Sequence, residues 1–290
     1  MEHQHKLFPL LVLLLFQVPI VASQTDSGDF TALSSLIQSW KNKPVNWVGS
    51  DPCGGDWDGI RCANSRITEL KLPGLNLEGQ LSSAIQPLSE LDTLDLSYNA
   101  GMTGTIPKEI GNLKNLKSLA LVNCGFSGPI PDSIGSLQKL AFLRFDKNRL
   151  SGRVPSSLSQ LEKLSKIYLS HNELTGSLPD FTGMTSLTYV DLSDNNFNSS
   201  DIPSWVYASS LPDLTTVRIL KDNQLSGTLN LSTGYRRSLQ LIDLQNNGIT
   251  ELKLGNQKLN FDLRLAQNKI CLENGVSNEV YCKAPPQVIP

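Results

Sequence analysis

The chain of 290 residues is poor in histidine and has almost no net charge. His171 is the one histidine that follows the first 23 residues, so a histidine-rich metal site or a Ser-His-Asp triad is not expected. A net charge of −2 gives no reason to expect nucleic acid as a partner. No phosphate-binding glycine loop or kinase motif occurs either. These absences predict a non-enzymatic chain with no metal and no cofactor.

Long apolar runs are scarce too. One occurs, LFPLLVLLLFQVPIVA over residues 7–22, and small residues suited to cleavage follow it up to Ser23. Pro9 and Pro19 interrupt the run, and it is short for a membrane span, so an anchor is the weaker alternative. We therefore predict a signal peptide over 1–23 and a product that is secreted or lies at the extracellular face of the plasma membrane.

What the chain does have is a repeat. The pattern L-x-x-L-x-L-x-x-N-x-L-x-G-x-I-P returns about nine times and is clearest in residues 140–155 and 164–179. The steps of 21 to 27 residues are typical of a leucine-rich repeat. The pattern predicts an α/β solenoid with a parallel concave sheet, a surface that proteins mostly use for binding. The first apolar positions of the copies are Ile67, Leu91, Leu116, Leu140, Leu164, Leu187, Leu214, Leu239 and Asn260.

Within each copy, L-x-x-L-x-L predicts a short strand whose leucines point inward and whose other residues face the concave side. The asparagine that follows can bond the backbones of neighbouring turns. The regularity breaks in three places. An extra residue occurs within 98–102, glycine is missing from 197–203, and the strand near 218–223 is interpreted as out of phase by one.

The flanks predict caps, which protect the open ends of a solenoid. We place an N-terminal cap at 24–65, the repeats at 66–270, and a C-terminal cap with a proline-rich tail at 271–290. Each end holds two cysteines that close a short loop, and a bridge between the two ends is implausible for a long solenoid. The predicted disulfides are Cys53–Cys62 and Cys271–Cys282.

Cys124 is left over, at the repeat's asparagine position. We interpret it as a buried structural thiol, with redox sensing as the alternative. The sequons at Asn198 and Asn230 are candidates for glycosylation in a secreted chain.

The outward positions of the fourth to sixth repeats concentrate aromatic and charged side chains. Aromatic residues and arginine dominate binding hot spots, although exposed aromatics can also simply fill a pleated surface. The predicted contact patch consists of Phe142, Arg144, Lys166, Tyr168, His171, Tyr189 and Asp191.

The pattern W-x-G-S-D-P-C-x-x-x-W-x-G-I-x-C at 47–62, followed by L-x-G-x-I-P repeats, resembles the ectodomain of plant leucine-rich-repeat receptor-like Ser/Thr kinases. Segments 89–137, 201–218 and 266–282 are similar to the subfamily that includes a hydrogen-peroxide sensor. The resemblance implies binding of a peptide ligand or a partner leucine-rich-repeat ectodomain upstream of kinase signalling. Such receptors continue into further cysteines, a membrane helix and a kinase, so we expect a truncated form to which peroxide sensing does not transfer.

Two other functions stay open. A secreted inhibitor of a cell-wall hydrolase, similar to the polygalacturonase-inhibiting proteins, would share the repeat type, caps and size. The isoelectric point of about 5.9 and the different N-terminal cap argue mildly against it. A structural cell-wall protein without a specific ligand is the third hypothesis.

Overall fold

The structure, a computed structural model, describes residues 24–198, 201–219, 223–256, 258–273 and 279–283. The predicted signal peptide and the end of the proline-rich tail lie outside these ranges. Across the described ranges, no helix combines the length and the apolar content needed to cross a membrane.

A ten-stranded sheet forms one side of the solenoid, and its members follow chain order. The first pair is antiparallel and all later pairs are parallel, one strand from each repeat, as the repeat pattern predicted. The strands are β1 (Ile60–Ala63), β2 (Arg66–Lys71), β4 (Thr93–Asp95), β6 (Ser118–Ala120), β8 (Phe142–Arg144), β10 (Lys166–Tyr168), β12 (Tyr189–Asp191), β14 (Thr216–Arg218), β16 (Leu241–Asp243) and β18 (Asp262–Arg264).

A second set of strands forms after the turns that follow β2 and the later strands of this sheet up to β16. Six form one parallel sheet: β3 (Glu78–Gln80), β5 (Gly101–Gly104), β7 (Gly125–Pro129), β9 (Arg149–Arg153), β11 (Glu173–Gly176) and β13 (Asn196–Phe197). Two more, β15 (Ser226–Asn230) and β17 (Gly248–Lys253), pair separately. The second sheet therefore ends at the predicted break, where the glycine of other repeats is absent. Gly176 shows why that glycine matters, since its φ of +84° is one that other residues rarely adopt.

The segments opposite the concave sheet are too short for α-helices and form single 3-10 turns instead. Several follow the proline of the I-P motif, whose extended backbone ends the preceding strand. The 3-10 turns are Ser83–Ile85, Lys108–Asn112, Asp132–Ser136, Ser156–Gln160, Ser204–Val206 and Val280–Cys282. Leucine, isoleucine and phenylalanine side chains from both sides fill one continuous core between these layers.

The strand near 218 is in phase, so the predicted shift was wrong. Thr216 pairs with Tyr189 on one side and with Leu241 on the other, as a regular strand would. The extra residue follows the strand, since the asparagine of this repeat comes five positions after Arg218. The ladder asparagine of this repeat, Asn223, still accepts a hydrogen bond from the Phe197 N–H at 3.2 Å. Sheet pairing thus keeps its register on both sides of β14.

The asparagines form the ladder that the sequence predicted. In the Asn172 side chain, the amide donates to the carbonyls of Phe145 at 2.9 Å and Leu169 at 3.1 Å, and its oxygen accepts from the Leu150 N–H at 2.9 Å. Each such residue satisfies buried backbone groups of two successive turns. The same pattern occurs at Asn99, Asn148, Asn195, Asn247 and Asn268.

Cys124 occupies one rung of this ladder, where its thiol lies 3.2 Å from the Leu96 carbonyl. A thiol cannot replace the accepting oxygen of asparagine. The preceding turn compensates, because its extra residue lets the Met102 N–H bond the Asn99 carbonyl at 2.9 Å. Burial raises the pKa of the Cys124 thiol to about 11. The substitution and the insertion therefore belong together, and the thiol is held protonated at neutral pH.

The N-terminal cap joins the solenoid through an ion pair between a buried carboxylate and a half-buried arginine. Helix α1 (Ser27–Ile37) begins after Asp26, whose side chain caps the N–H groups of the first turn. Its residue Asp29 is fully buried and accepts two bonds from Arg66, at 3.0 and 2.9 Å, and one from the Ile67 N–H at 2.8 Å. The cap is thereby fixed to β2.

Both predicted disulfides are present: Cys53–Cys62 in the N-terminal cap, and Cys271–Cys282 at the other end, where Cys271 lies in helix α2 (Lys269–Glu273). Trp57 is buried and stacks on Trp47 with ring centroids 5.2 Å apart, so aromatic side chains cover the first turn.

Candidate functional site

The concave sheet brings the predicted patch together. Register pairing aligns Phe142, Lys166 and Tyr189 in one row across β8, β10 and β12. The row beside it aligns Arg144 with Tyr168 and continues to Asp191. Because the strands pair without offset, the outward columns predicted from the sequence are the columns of the structure.

Four side chains form a continuous row across β8, β10, β12 and β14, in which Arg144, Tyr168 and Tyr189 stack and Arg218 adjoins Tyr189. The Arg144 guanidinium carbon lies 4.7 Å from the Tyr168 ring centroid, and the Tyr168 and Tyr189 rings stack with centroids 4.7 Å apart. Burial raises the pKa of Tyr189, and the adjacent Arg218 guanidinium offsets part of that rise. We call Arg144, Tyr168, Tyr189 and Arg218 the Arg–Tyr row. Cation–π and stacking contacts hold it in one arrangement before any ligand arrives.

Two carboxylates lie beneath this row. Asp146 is buried and pairs with Arg144 through bonds of 3.3 and 3.1 Å. Asp191 lies 3.7 Å from Arg218 and accepts from the Ser193 hydroxyl at 2.5 Å. The sequence placed Asp191 on the contact patch, but its side chain is buried. Its place in the structure is that of a support that orients Arg218.

The remaining patch residues flank the row. Phe142 is exposed, and the Lys166 ammonium stands 5.7 Å from its ring centroid. His171 follows β10 at the rim of the sheet, with a φ of +54°, and its Nδ1 lies 3.3 Å from a carboxylate oxygen of Asp194. Phe142 and Lys166 therefore extend the row on the concave face, while His171 belongs to its edge.

Sequence reasoning missed the continuation of this arrangement toward the C-terminus. Asp243 is buried, and Arg264 bonds it at 3.4 Å and Asp262 at 2.8 Å. Burial raises the pKa of the Asp243 carboxyl. The alternation of aspartate and arginine in the middle column, from Asp191 through Arg218, was the signal that could have revealed this ladder.

The structure describes the asparagine of each predicted glycosylation site, Asn198 and Asn230. Asn230 accepts from the Ser232 N–H at 3.1 Å and from its hydroxyl at 2.6 Å. Asn198 is described, but the next two residues of its sequon are outside the described ranges. Glycosylation of both asparagines stays a prediction.

Over the ranges that the structure covers, no three His, Cys, Asp or Glu side chains cluster as a metal site would require.

Comparisons with known proteins agree with this geometry. Two family models described as leucine-rich repeat match residues 138–197 and 115–137. Over 117 residues the chain is 41% identical to a probable leucine-rich repeat receptor-like protein kinase of Arabidopsis thaliana. That match covers 40% of this chain and 12% of the relative's own length.

Two solved structures extend the likeness to most of the chain. The complex of PEPR1 with AtPEP1 superposes with a TM-score of 0.71 and 30% identity, covering 83% of this chain and 35% of that one. A plant ice-binding protein superposes with a TM-score of 0.63 and 27% identity, covering 84% and 87%.

Proposed function

The chain belongs to the leucine-rich-repeat proteins of the plant receptor-like kinase type, and from this premise we propose that it is an extracellular ligand-binding domain. A peptide, or the ectodomain of a partner receptor, docks on the concave face. Binding joins two receptors and starts signalling by a kinase elsewhere, so this chain is non-catalytic. In a form that is not attached to a membrane, the same domain acts as a decoy: it binds the partner receptor and keeps it from signalling.

The Arg–Tyr row carries this proposal. Tyrosine and arginine are the residue types that dominate binding hot spots, and fixed side chains lose little conformational entropy when a ligand binds. Arg144 is held by Asp146 below it and by the Tyr168 ring beside it. The likeness to PEPR1, solved with AtPEP1, supports a peptide as the ligand class.

A double substitution tests the site. Peptides selected from a random 12-residue phage library against the full chain give the probes. Their dissociation constants are then measured by fluorescence anisotropy. With Arg144→Ala and Tyr168→Ala together we expect binding to weaken at least about tenfold, since hot-spot side chains contribute about 2 kcal/mol or more. The control removes Arg149 and Arg153, which lie on β9 in the second sheet. Equal affinity for the parent and the concave-face variant would refute the site.

The inhibitor hypothesis is tested separately. Purified chain is added to fungal and plant pectinases, and the release of reducing sugar is followed. Undiminished hydrolysis at a large excess of the chain removes this alternative, whereas inhibition that survives the Arg144 and Tyr168 substitutions would place the function on another surface.

A further inference from the structure

The charges of the concave face indicate which peptides it takes. Building on the proposed function, we propose that the ligand is an acidic peptide, extended along the solenoid axis, with two carboxylates about four residues apart. One carboxylate meets Arg144 and Lys166, and the other meets Arg218.

In this patch the arginine side chains are exposed to solvent and their carboxylate partners are buried. The Arg144 side chain is 41% exposed, whereas that of its partner Asp146 is 8% exposed. Arg218 is 39% exposed and Asp191 is 10% exposed. In both pairs the carboxylate lies underneath and the guanidinium edge faces the concave space. A ligand therefore meets hydrogen-bond donors at both ends of the row, and a planar carboxylate is the group that a guanidinium binds best.

Lys166 adds a positive charge that is not neutralised nearby. Its ammonium stands over the Phe142 ring and has no ion-pair partner among the residues that the structure covers. The Tyr168 hydroxyl, on the same strand, has no hydrogen bond there either. An anionic side chain at this point would pair with Lys166 and accept from Tyr168, whereas a cationic one would be repelled.

The spacing of the two ends sets the spacing within the ligand. Arg144 lies on β8 and Arg218 on β14, with β10 and β12 between them, which makes three steps across the sheet. Neighbouring strands are about 4.8 Å apart, so the two positions are separated by about 14 Å. An extended peptide advances about 3.4 Å per residue, and four residues span that distance.

The part of the ligand between its two carboxylates faces aromatic rings and is not expected to carry further charges. The Tyr168 ring is covered by Arg144 on one side and by Tyr189 on the other. Ligand residues between the two carboxylates would therefore rest on ring edges and hydroxyl groups. Small or polar residues fit there, which makes the two acidic positions the ones that determine specificity.

The library of random 12-residue peptides provides the experiment. We expect selection on the full chain to enrich peptides with Asp or Glu at a separation of four. Moving one acid by two residues, or changing it to its amide, should weaken binding at least about tenfold. Raising the salt concentration from 50 to 300 mM should weaken it as well, because the contacts are ionic.

Protein variants locate the effect. Lys166→Gln removes a charge without leaving a buried partner unpaired, and Arg218→Gln removes the second contact; each should weaken the selected peptides about tenfold. Arg218→Lys keeps the charge above Asp191 and should recover part of the loss if folding is intact. Arg149→Gln with Arg153→Gln removes charge from the second sheet and should change nothing.

The outcomes separate this inference from the proposed function. Selected peptides that lack the acidic pair, or are basic, overturn the inference. If those peptides still lose affinity with Tyr168→Ala, the concave face remains the binding site. Peptides that bind equally to the parent and to Tyr168→Ala refute both proposals.

Discussion

Removing one asparagine of the ladder should lower the free energy of unfolding by an amount that follows from the hydrogen bonds it makes. Asn172→Ala removes three amide donations, to the carbonyls of Phe145, Leu169 and, more weakly at 3.3 Å, Ser170, and it removes the acceptor for the Leu150 N–H. Asn148 and Asn195 still donate to the Phe145 and Leu169 carbonyls, so the buried Leu150 N–H is the group that loses its partner. The three bonds of 3.1 Å or less are worth about 1 kcal/mol net each, so we expect a loss of about 3 kcal/mol.

Cys124→Ala is the matched comparison, because Cys124 occupies the same position of its repeat as Asn172 and the substitution likewise shortens the side chain to a methyl group. The weak contacts from the thiol to the carbonyls of Leu96 and Val122 are lost. The Met102 N–H keeps its partner in the Asn99 carbonyl. We therefore expect a cost of about 1 kcal/mol from the thiol's packing and its weak hydrogen bonds.

Urea unfolding measures both values. Trp40, Trp57 and Trp205 are buried, so tryptophan fluorescence follows the cap and the later repeats together. Midpoints and slopes are compared for the parent, Asn172→Ala and Cys124→Ala. A free energy of unfolding for Asn172→Ala that lies within about 0.5 kcal/mol of that for Cys124→Ala would refute the ladder argument, since the two rungs differ chiefly in the number of bonds.

Two further predictions concern charge and pH. Asp29→Ala should lower the free energy of unfolding by about 2–3 kcal/mol, because the buried Ile67 N–H loses its acceptor and Arg66 loses two bonds while it keeps Asp26 at 4.0 Å. The exposed pair of Lys41 and Glu78 is the control, and breaking it should cost less than about 1 kcal/mol in the same denaturation assay. For Cys124, the pKa is about 11 in the folded chain against an ordinary 9.0, so the unfolded state loses its proton first as pH rises. The thiol's contribution is therefore complete below pH 9 and declines up to pH 11. The difference in unfolding free energy between the parent and Cys124→Ser, measured from pH 8 to 11, should show that decline, and a flat difference would contradict it.

Much of the candidate site was predictable because strands in a solenoid repeat without offset. Once the outward positions were known, residue spacing alone gave the neighbours of Tyr168 on the adjacent strands. It did not give the side-chain contacts between them. Nothing in the sequence shows that Arg144 lies over the Tyr168 ring or that the two tyrosines stack. Those arrangements depend on side-chain rotamers, which packing selects.

Burial was the main property that the pattern misjudged. Asp191 occupies an outward position, yet Ser193 and Arg218 enclose it. The interpretation of the strand near Arg218 failed for a related reason. Sequence spacing cannot show whether an insertion shifts a strand or lengthens the loop after it, whereas hydrogen bonding to both neighbouring strands decides the question.

The sequence by itself determined the repeat period, the solenoid, the asparagine ladder and the columns of the concave face, because each depends on residue spacing that a parallel sheet preserves. Tertiary structure decided which charges are buried and which face a ligand. It set Asp146 and Asp191 beneath the Arg–Tyr row and left Arg144, Arg218 and Lys166 at the surface. The physical reason is that a hydrogen bond or an ion pair is formed by atoms of different repeats, whose positions become fixed when the turns stack.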